Sequence, residues 1–339
     1  MKTLPEGYTH RAARGDDAKD AVNLFNACSE ERTGERPHDV EDLGVEWRTP
    51  GFDMERDTRV VLDAEGRLTG YAEVWDLEKP HVQVHSWGRV HPDHRGCGIG
   101  SALLEWQETR AREAISKAPA EARVALGIGA LENDDASREL LIENGFAIVR
   151  SFRRMVIEME GAPEPVVFPE GVSVRSFSPE EDFEQTVRVV RDSFADHWGH
   201  VDSPFEEEVK QWKHWIDEDP NFDPNLWLLA EAEGQVVGTC LGTPKRHEDP
   251  DLGWIHILGV ARSWRRRGVA LALLRHAFRV FHSIGKPKVG LGVDATSLTG
   301  ANHLYEKAGM KVKRQSLAYE KELRPGIDLT RQRLEEEES

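Results

Sequence analysis

The chain has 339 residues, too many for one ordinary domain and suited to two. With 39% hydrophobic and 31% charged residues it reads as globular, and a net charge of -17 disfavours nucleic acid as a partner, because that binding rests on neutralising phosphates with Lys and Arg. No apolar run approaches the ~20 residues of a membrane span and the N-terminus shows no signal-peptide core, so a soluble, cytoplasmic protein with no membrane partner is expected.

In chain order, an opening strand is predicted to end near Arg11, followed by a helical stretch over DDAKDAVNLFNACSEE. Two strands flank the acidic-glycine turn of TRVVLDAEGRLTGYAEVW, and the strand VQVHSWGRV leads through a polar turn into a Gly-rich loop and a helix. The strand ARVALGIGA, a short helix and a last strand after Gly145-Phe146 follow. Residues 160–170, EGAPEPVVFPE, are rich in proline and glycine and read as a linker. The same order then returns: a strand ending near Arg175, the helix PEEDFEQTVRVVRDSFADHW, the strand pair LWLLAEAEGQVVGTCLG, the strand GWIHILGV, a loop and helix, the strand PKVGLGVDA, a short helix, and a strand after Gly309-Met310. Residues 324–339 are polar, end acidic, and are expected to form a frayed tail.

The recurrence extends to single residues. Pro5-Glu6-Gly7 with Arg11 matches Pro169-Glu170-Gly171 with Arg175, and Ala64-Glu65-Gly66 matches Ala232-Glu233-Gly234. Arg95, Gly98 and Gly100 match Arg265, Gly268 and Ala270, and Gly145-Phe146 matches Gly309-Met310. Four landmarks in one order at nearly constant spacing identify a duplicated domain. The expected boundaries are 1–159 for the first copy and 171–323 for the second, each an α/β domain with a central sheet flanked by helices.

The loop Arg95-Gly96-Cys97-Gly98-Ile99-Gly100, repeated as Arg265-Arg266-Arg267-Gly268-Val269-Ala270, carries the most chemical information. Each follows a strand and opens a helix, whose buried stripe in the second copy is predicted as Ala270, Leu273, Leu274, Ala277, Phe278 and Phe281. Small residues there let a ligand approach the backbone, and the free N–H groups and positive helix end favour a phosphate or pyrophosphate. A purely structural glycine turn is the plain alternative. A dinucleotide fingerprint would need the loop after the first strand, and a P-loop would need GxxxxGK[ST]; neither holds. Cys28, Cys97 and Cys240 lie far apart without metal-type spacing, so no disulfide framework or metal site is expected, and Cys97 without an evident histidine partner reads as a small filler.

Arg-x-x-Gly-x-Gly/Ala after a strand ending in Val90 or Val260 resembles the coenzyme A loop of the GNAT acetyltransferase superfamily, and the resemblance spans both halves. Leu304-Tyr305-Glu306-Lys307-Ala308-Gly309-Met310 resembles the family's Leu-Tyr-Glu-x-x-Gly-Phe segment. Phe194-Ala195-Asp196-His197-Trp198-Gly199 with Asn225-Leu226-Trp227 is similar to the tandem GNAT group that includes mycothiol synthase. The resemblance implies two GNAT-like domains, each a mixed, mostly antiparallel sheet flanked by helices, and acyl transfer from acetyl-CoA, without metal, to a primary amine of a small molecule or peptide. A non-enzymatic acyl-CoA sensor or scaffold is the alternative.

By the same resemblance, the backbone of Leu258, Gly259 and Val260 would pair with the pantetheine arm, and the loop Arg265, Arg266, Arg267, Gly268, Val269, Ala270, Leu271 would hold the pyrophosphate. The first-copy equivalents are Gly88, Arg89, Val90 and Arg95, Gly96, Cys97, Gly98, Ile99, Gly100, Ser101. The strand after the loop helix would splay from its neighbour and leave room for the thioester. Tyr305, where the first copy has Leu141, would protonate the departing thiolate, which places catalysis in the C-terminal copy. The strand GWIHILGV lacks the family's frequent glutamate; its titratable residue, His256, could relay the proton, with water or Asp196 as alternatives. Trp198, Trp212, Trp215 and Trp227 either line an acceptor pocket or belong to the core.

Overall fold

The computed structural model describes residues 4–330 except 199, 201–202, 220, 245–248 and 298–299. Gly199 and the end of the expected tail, 331–339, thus lie outside the described residues. The first copy runs β1 (Thr9–Arg11), α1 (Ala18–Thr33), α2 (Val40–Trp47), α3 (Met54–Asp57), β2 (Thr58–Leu62), β3 (Leu68–Trp75), β4 (Gln83–Val90), α4 (Ile99–Ala111), β5 (Val124–Leu131), α5 (Asp135–Glu143) and β6 (Ala147–Glu158). The second repeats it: β7 (Ser173–Ser176), α6 (Pro179–Phe194), α7 (Phe205–Glu218), β8 (Trp227–Ala232), β9 (Gln235–Thr243), β10 (Leu252–Val260), α8 (Val269–Ser283), β11 (Lys288–Asp294), α9 (Ala301–Lys307) and β12 (Lys311–Arg324).

The shared arginines of the repeat have a common mechanical role. Arg11 at the end of β1 makes a two-pronged pair with Asp17 just before α1, at 2.6 and 2.8 Å. Arg175 does the same with Asp182 in the first turn of α6. Bidentate guanidinium–carboxylate geometry fixes orientation as well as distance, so each pair sets the angle at which the chain leaves its edge strand.

Two compact units result. One comprises Met1–Ser151 with Ser316–Leu329, the other Phe152–Gln315 with the end of the chain. In the N-terminal unit the strand order is β1-β2-β3-β4-β5-β12, with β4 and β5 parallel and the other pairs antiparallel. In the C-terminal unit it is β6-β11-β10-β9-β8-β7, again with one parallel pair, β10 with β11. Each sheet is therefore mixed and mostly antiparallel. The boundaries expected from the repeat follow the copies along the chain, whereas the compact units divide the closing strands differently: β12, from the second copy, pairs with β5, and β6, from the first, pairs with β11.

Helices α4 and α8 pack their apolar faces on these sheets. In α8 the buried residues are Val269, Ala272, Leu273, Leu274, Ala277, Phe278 and Phe281. Ala270, expected in that stripe, is only half-buried, because the first turn is rotated to seat Val269 in the core. Among the described residues no helix is long and apolar enough to cross a membrane.

Candidate active site

The geometry begins where parallel strands part. In the C-terminal unit Leu252–Ile255 pair with Lys288–Leu291, and beyond Ile255 the two strands have no ladder between them although both continue. The N-terminal unit repeats this: β4 pairs with β5 from Gln83 to Ser86 and then separates. The expected splay is present in both units. Strand main-chain groups that lose their neighbour are left able to bond an extended ligand.

At the mouth of each splay lies the arginine-led loop. Gly98 and Gly268 are the N-caps of α4 and α8, with φ of 94° and 88°. Two residues earlier, Gly96 and Arg266 are also left-handed, with φ of 75° and 60°. Interrupting the turn with left-handed residues points successive N–H groups into one concavity, an anion-binding nest at the positive end of a helix. Arg266 holds this conformation without glycine's freedom, at a cost of roughly 1–2 kcal/mol. The loop keeps its shape even against residue preference.

The leading arginines act through their side chains on the first helix of each unit. Arg95 Nη1 meets Glu31 Oε2 at 2.6 Å. Arg265 pairs with the Asp196 carboxylate and donates to the Ser193 carbonyl at 2.9 Å. Burial works against the Asp196 charge, but the Arg265 hydrogen bond outweighs it and holds the carboxyl below the usual range. That carboxylate is committed to the loop and is a poor general base. Arg267 covers the Trp264 ring at 4.6 Å.

In the N-terminal unit the space between splay and loop is a cavity of about 620 Å³. Of the expected coenzyme residues, Gly88, Arg89, Val90, Arg95, Gly96, Gly98, Gly100 and Ser101 line it. Ile99 instead sits in the core at 1% exposure, and Cys97 is an exposed thiol that donates to the His94 carbonyl. Leu141 lines the same cavity. In the C-terminal unit the corresponding elements place Leu258 half-buried, Gly259 and Val260 buried, Gly268 exposed at the loop, and Ala270 and Leu271 half-buried on the first turn of α8.

Tyr305 lies on α9, 8% exposed, within the core cluster of the C-terminal unit. Burial, with the nearby Cys240 adding, raises its phenol well above the ordinary value. Burial also pushes the Cys240 thiol up to about 12. His256 is exposed and is the extra residue of a β-bulge: the β9–β10 register shifts between Ile255 and Ile257. Its Nε2 lies 3.2 Å from the Thr243 hydroxyl. A bulge re-aims one side chain where it ends regular pairing, here at the very residue where β10 leaves β11. Sequence patterning gave no sign of the bulge, since one inserted residue in an apolar strand leaves the composition unchanged.

Trp227 packs among Phe177, Phe222 and Trp212, at ring distances of 5.0, 5.1 and 6.0 Å, whereas Trp215 is 55% exposed. The tryptophan group thus divides between core edge and surface. A feature the sequence did not announce is Glu73, 1% exposed on β3, whose carboxylate accepts from the Tyr71 hydroxyl at 2.6 Å, from Trp75 Nε1 at 2.7 Å, and from Trp87 Nε1. No group of three or more His, Cys, Asp or Glu able to hold a metal occurs among the described residues.

Comparison with known proteins agrees with this geometry. The Acetyltransferase (GNAT) family model matches residues 19–146 and again 187–310. The chain is 30% identical to the mycothiol acetyltransferase of Streptomyces coelicolor, over 84% of this chain and 86% of that protein. It is 29% identical to that of Streptomyces griseus, over 90% and 93%. The crystal structure of a GCN5-related N-acetyltransferase from Sphaerobacter thermophilus superposes with a TM-score of 0.80 at 36% identity, covering 96% of this chain and 99% of that one. A tandem GNAT protein from the clavulanic acid biosynthesis pathway shares the fold, with a TM-score of 0.68 at 15% identity over 94% and 100%. The chain is a member of the GNAT acetyltransferase family with two copies of the family's domain.

Proposed function

We propose that the protein transfers an acetyl group from acetyl-CoA to a primary amine of a small molecule, by direct attack in a ternary complex, with the chemistry in the C-terminal copy. The observation that carries this reading is the bulge that sets His256 at the vertex of the β10–β11 splay, in the copy that also has Tyr305. The mycothiol acetyltransferase relatives support a small-molecule amine as acceptor.

Bound acetyl-CoA supplies an activated acyl group. The N–H groups from Arg266 to Ala270 take the pyrophosphate, and the β11-facing edge of Leu258, Gly259 and Val260 bonds the pantetheine arm. A main-chain N–H at the same edge stabilises the oxyanion. His256 accepts the proton that frees the amine lone pair. Tyr305 donates its proton to the departing thiolate; Leu141 lines the cavity at the matching position of the N-terminal unit, which supports Tyr305 reaching the corresponding space. Burial holds the phenol neutral and in the donor form, and the same burial makes it a weaker acid than an ordinary phenol. Transfer to the departing thiolate therefore requires that the thiolate be desolvated in the same apolar space, which raises its basicity in parallel.

Release of free thiol from acetyl-CoA across a panel of small amines tests the reading. Amine-dependent release is expected, with acetylated amine formed in equal amount; hydrolysis without acylated product from any amine would overturn it.

A further inference from the structure

Three arginines, Arg32, Arg89 and Arg95, and three carboxylates, Asp134, Glu139 and Glu143, line the cavity of the N-terminal unit. Glu139 and Glu143 are exposed on α5 and are not among the charges that act most strongly on Arg89. Arg32 is paired, its Nη2 2.8 Å from Asp134 Oδ1, both side chains largely buried. Arg95 spends Nη1 on Glu31, while its buried Nη2 has no hydrogen-bond acceptor. Among the described residues, Arg89 donates to the carbonyl of its neighbour Gly88 alone, at 2.9 Å, and stacks over Trp87 at 5.1 Å. The carboxylates whose field reaches it are Asp134, already held by Arg32, and Glu73, whose two oxygens are taken by Tyr71, Trp75 and Trp87. A guanidinium carries five donors and does not deprotonate, so one lining a cavity without an anion is an unmet demand.

The direction of Arg89 narrows what would meet it. Its guanidinium lies over the Trp87 ring, two residues back along β4 and next to Ser86, where β4 and β5 part, while the Gly96 and Gly98 nest at the other end would hold a pyrophosphate. The vertex is the end at which the acyl group lies if the pantetheine follows the strand. The C-terminal copy has Gly259 at this position, and a Cβ there would come within 2.9 Å of Ser193, so no side chain fits. The feature belongs to the N-terminal copy alone.

We propose that the N-terminal cavity binds a coenzyme A thioester whose acyl group ends in a carboxylate, of the malonyl or succinyl type, with Arg89 donating to that carboxylate. The proposal rests on the reading of this cavity as a coenzyme site and adds the class of acyl group. A planar fork matches a carboxylate bidentately, which a neutral acetyl cannot exploit.

Calorimetry on the full chain with coenzyme A, acetyl-CoA, malonyl-CoA and succinyl-CoA tests it. One binding event is expected to favour a dicarboxylic thioester over acetyl-CoA by at least tenfold. Arg89→Met should abolish that preference while changing acetyl-CoA affinity less than threefold, and Arg89→Lys should keep part of it. Removing an unpaired, partly buried charge should not lower the melting temperature, which a thermal scan checks. A preference absent in the wild-type chain, or persisting in Arg89→Met, overturns the proposal. So does an equal loss for coenzyme A itself, which would assign Arg89 to the coenzyme's phosphates. Failure of the underlying reading looks different: coenzyme A and every thioester would then show no binding that any change in the N-terminal cavity affects.

Discussion

In the C-terminal copy β10 carries one residue more than β9 across the ladder, whereas in the N-terminal copy β3 and β4 pair residue for residue from Gly70 with Val90 to Trp75 with His85. The loops that follow are alike, with left-handed residues at matching places and an arginine tied to an acid, Glu31 on α1 in one copy and Asp196 just beyond α6 in the other. The duplication has therefore preserved what the backbone does and let the side chains diverge. One copy gained an exposed histidine at the vertex and a buried tyrosine; the other has leucine, an Arg32–Asp134 bridge and an unanswered Arg89. Binding geometry made of main-chain groups survives substitution more readily than chemistry made of side chains.

The proposed division of labour can be broken most sharply at Tyr305. Tyr305→Phe is expected to cut turnover about 10³-fold, a size typical of losing a general acid, with acetyl-CoA affinity nearly unchanged by calorimetry. Leu141→Phe, at the matching place, should leave turnover intact; a comparable loss there would move catalysis to the other copy. His256→Gln should lower kcat by about 10²-fold. If steady-state rates with a strongly basic and a weakly basic amine fell by less than twofold, His256 would have no part in proton transfer.

Paired loop mutants sharpen the comparison further. Gly98→Ala and Gly268→Ala each force a Cβ into the left-handed region at a cost of roughly 1–2 kcal/mol. Only the second is expected to raise the KM for acetyl-CoA, by about tenfold, the binding equivalent of such a cost. The raised phenol of Tyr305 gives a pH signature. Its acid function should persist through pH 10, so the kcat profile shows no alkaline fall below that point. Because the folded value lies above the unfolded one, near 10, its contribution to stability is complete below pH 10 and is lost as pH rises beyond it. Urea melts at pH 9 and pH 11 would detect this, and equal loss of stability in Tyr305→Phe would assign it elsewhere. The smallest effects belong to the clamps the copies share: Asp17→Asn and Asp182→Asn should each lower stability by about 1 kcal/mol, since both arginine partners are partly exposed and screened.

Much of this was legible in the residues. The repeat, the order of elements along each copy and the Gly-rich loop follow from small residues and alternating apolar runs, which act locally, whereas the splay was expected only from the resemblance to the GNAT family. What escaped was of two kinds. The bulge at His256 depends on the register between β9 and β10, which pattern alone does not encode. The pairing of β12 with β5 depends on which edge is open when the last strand arrives, and two copies with similar edges offer both choices to the same sequence pattern. The two-pronged Arg11 and Arg175 clamps show the opposite case, in which a recurring residue noted as a mere landmark turned out to have a mechanical reason.

The placement of β12 has a consequence for how the molecule is made. The hydrogen-bonding edge of β5 is completed only by Ser316 to Arg324, close to two hundred positions later in synthesis. A ribosome releasing the chain from its N-terminus therefore exposes an unfinished edge through most of translation, a template for mispairing with other nascent chains. Expression of 1–159 alone would leave that edge permanently open. Adding a peptide spanning 311–329 in trans should restore solubility, much as a missing stave closes a cask.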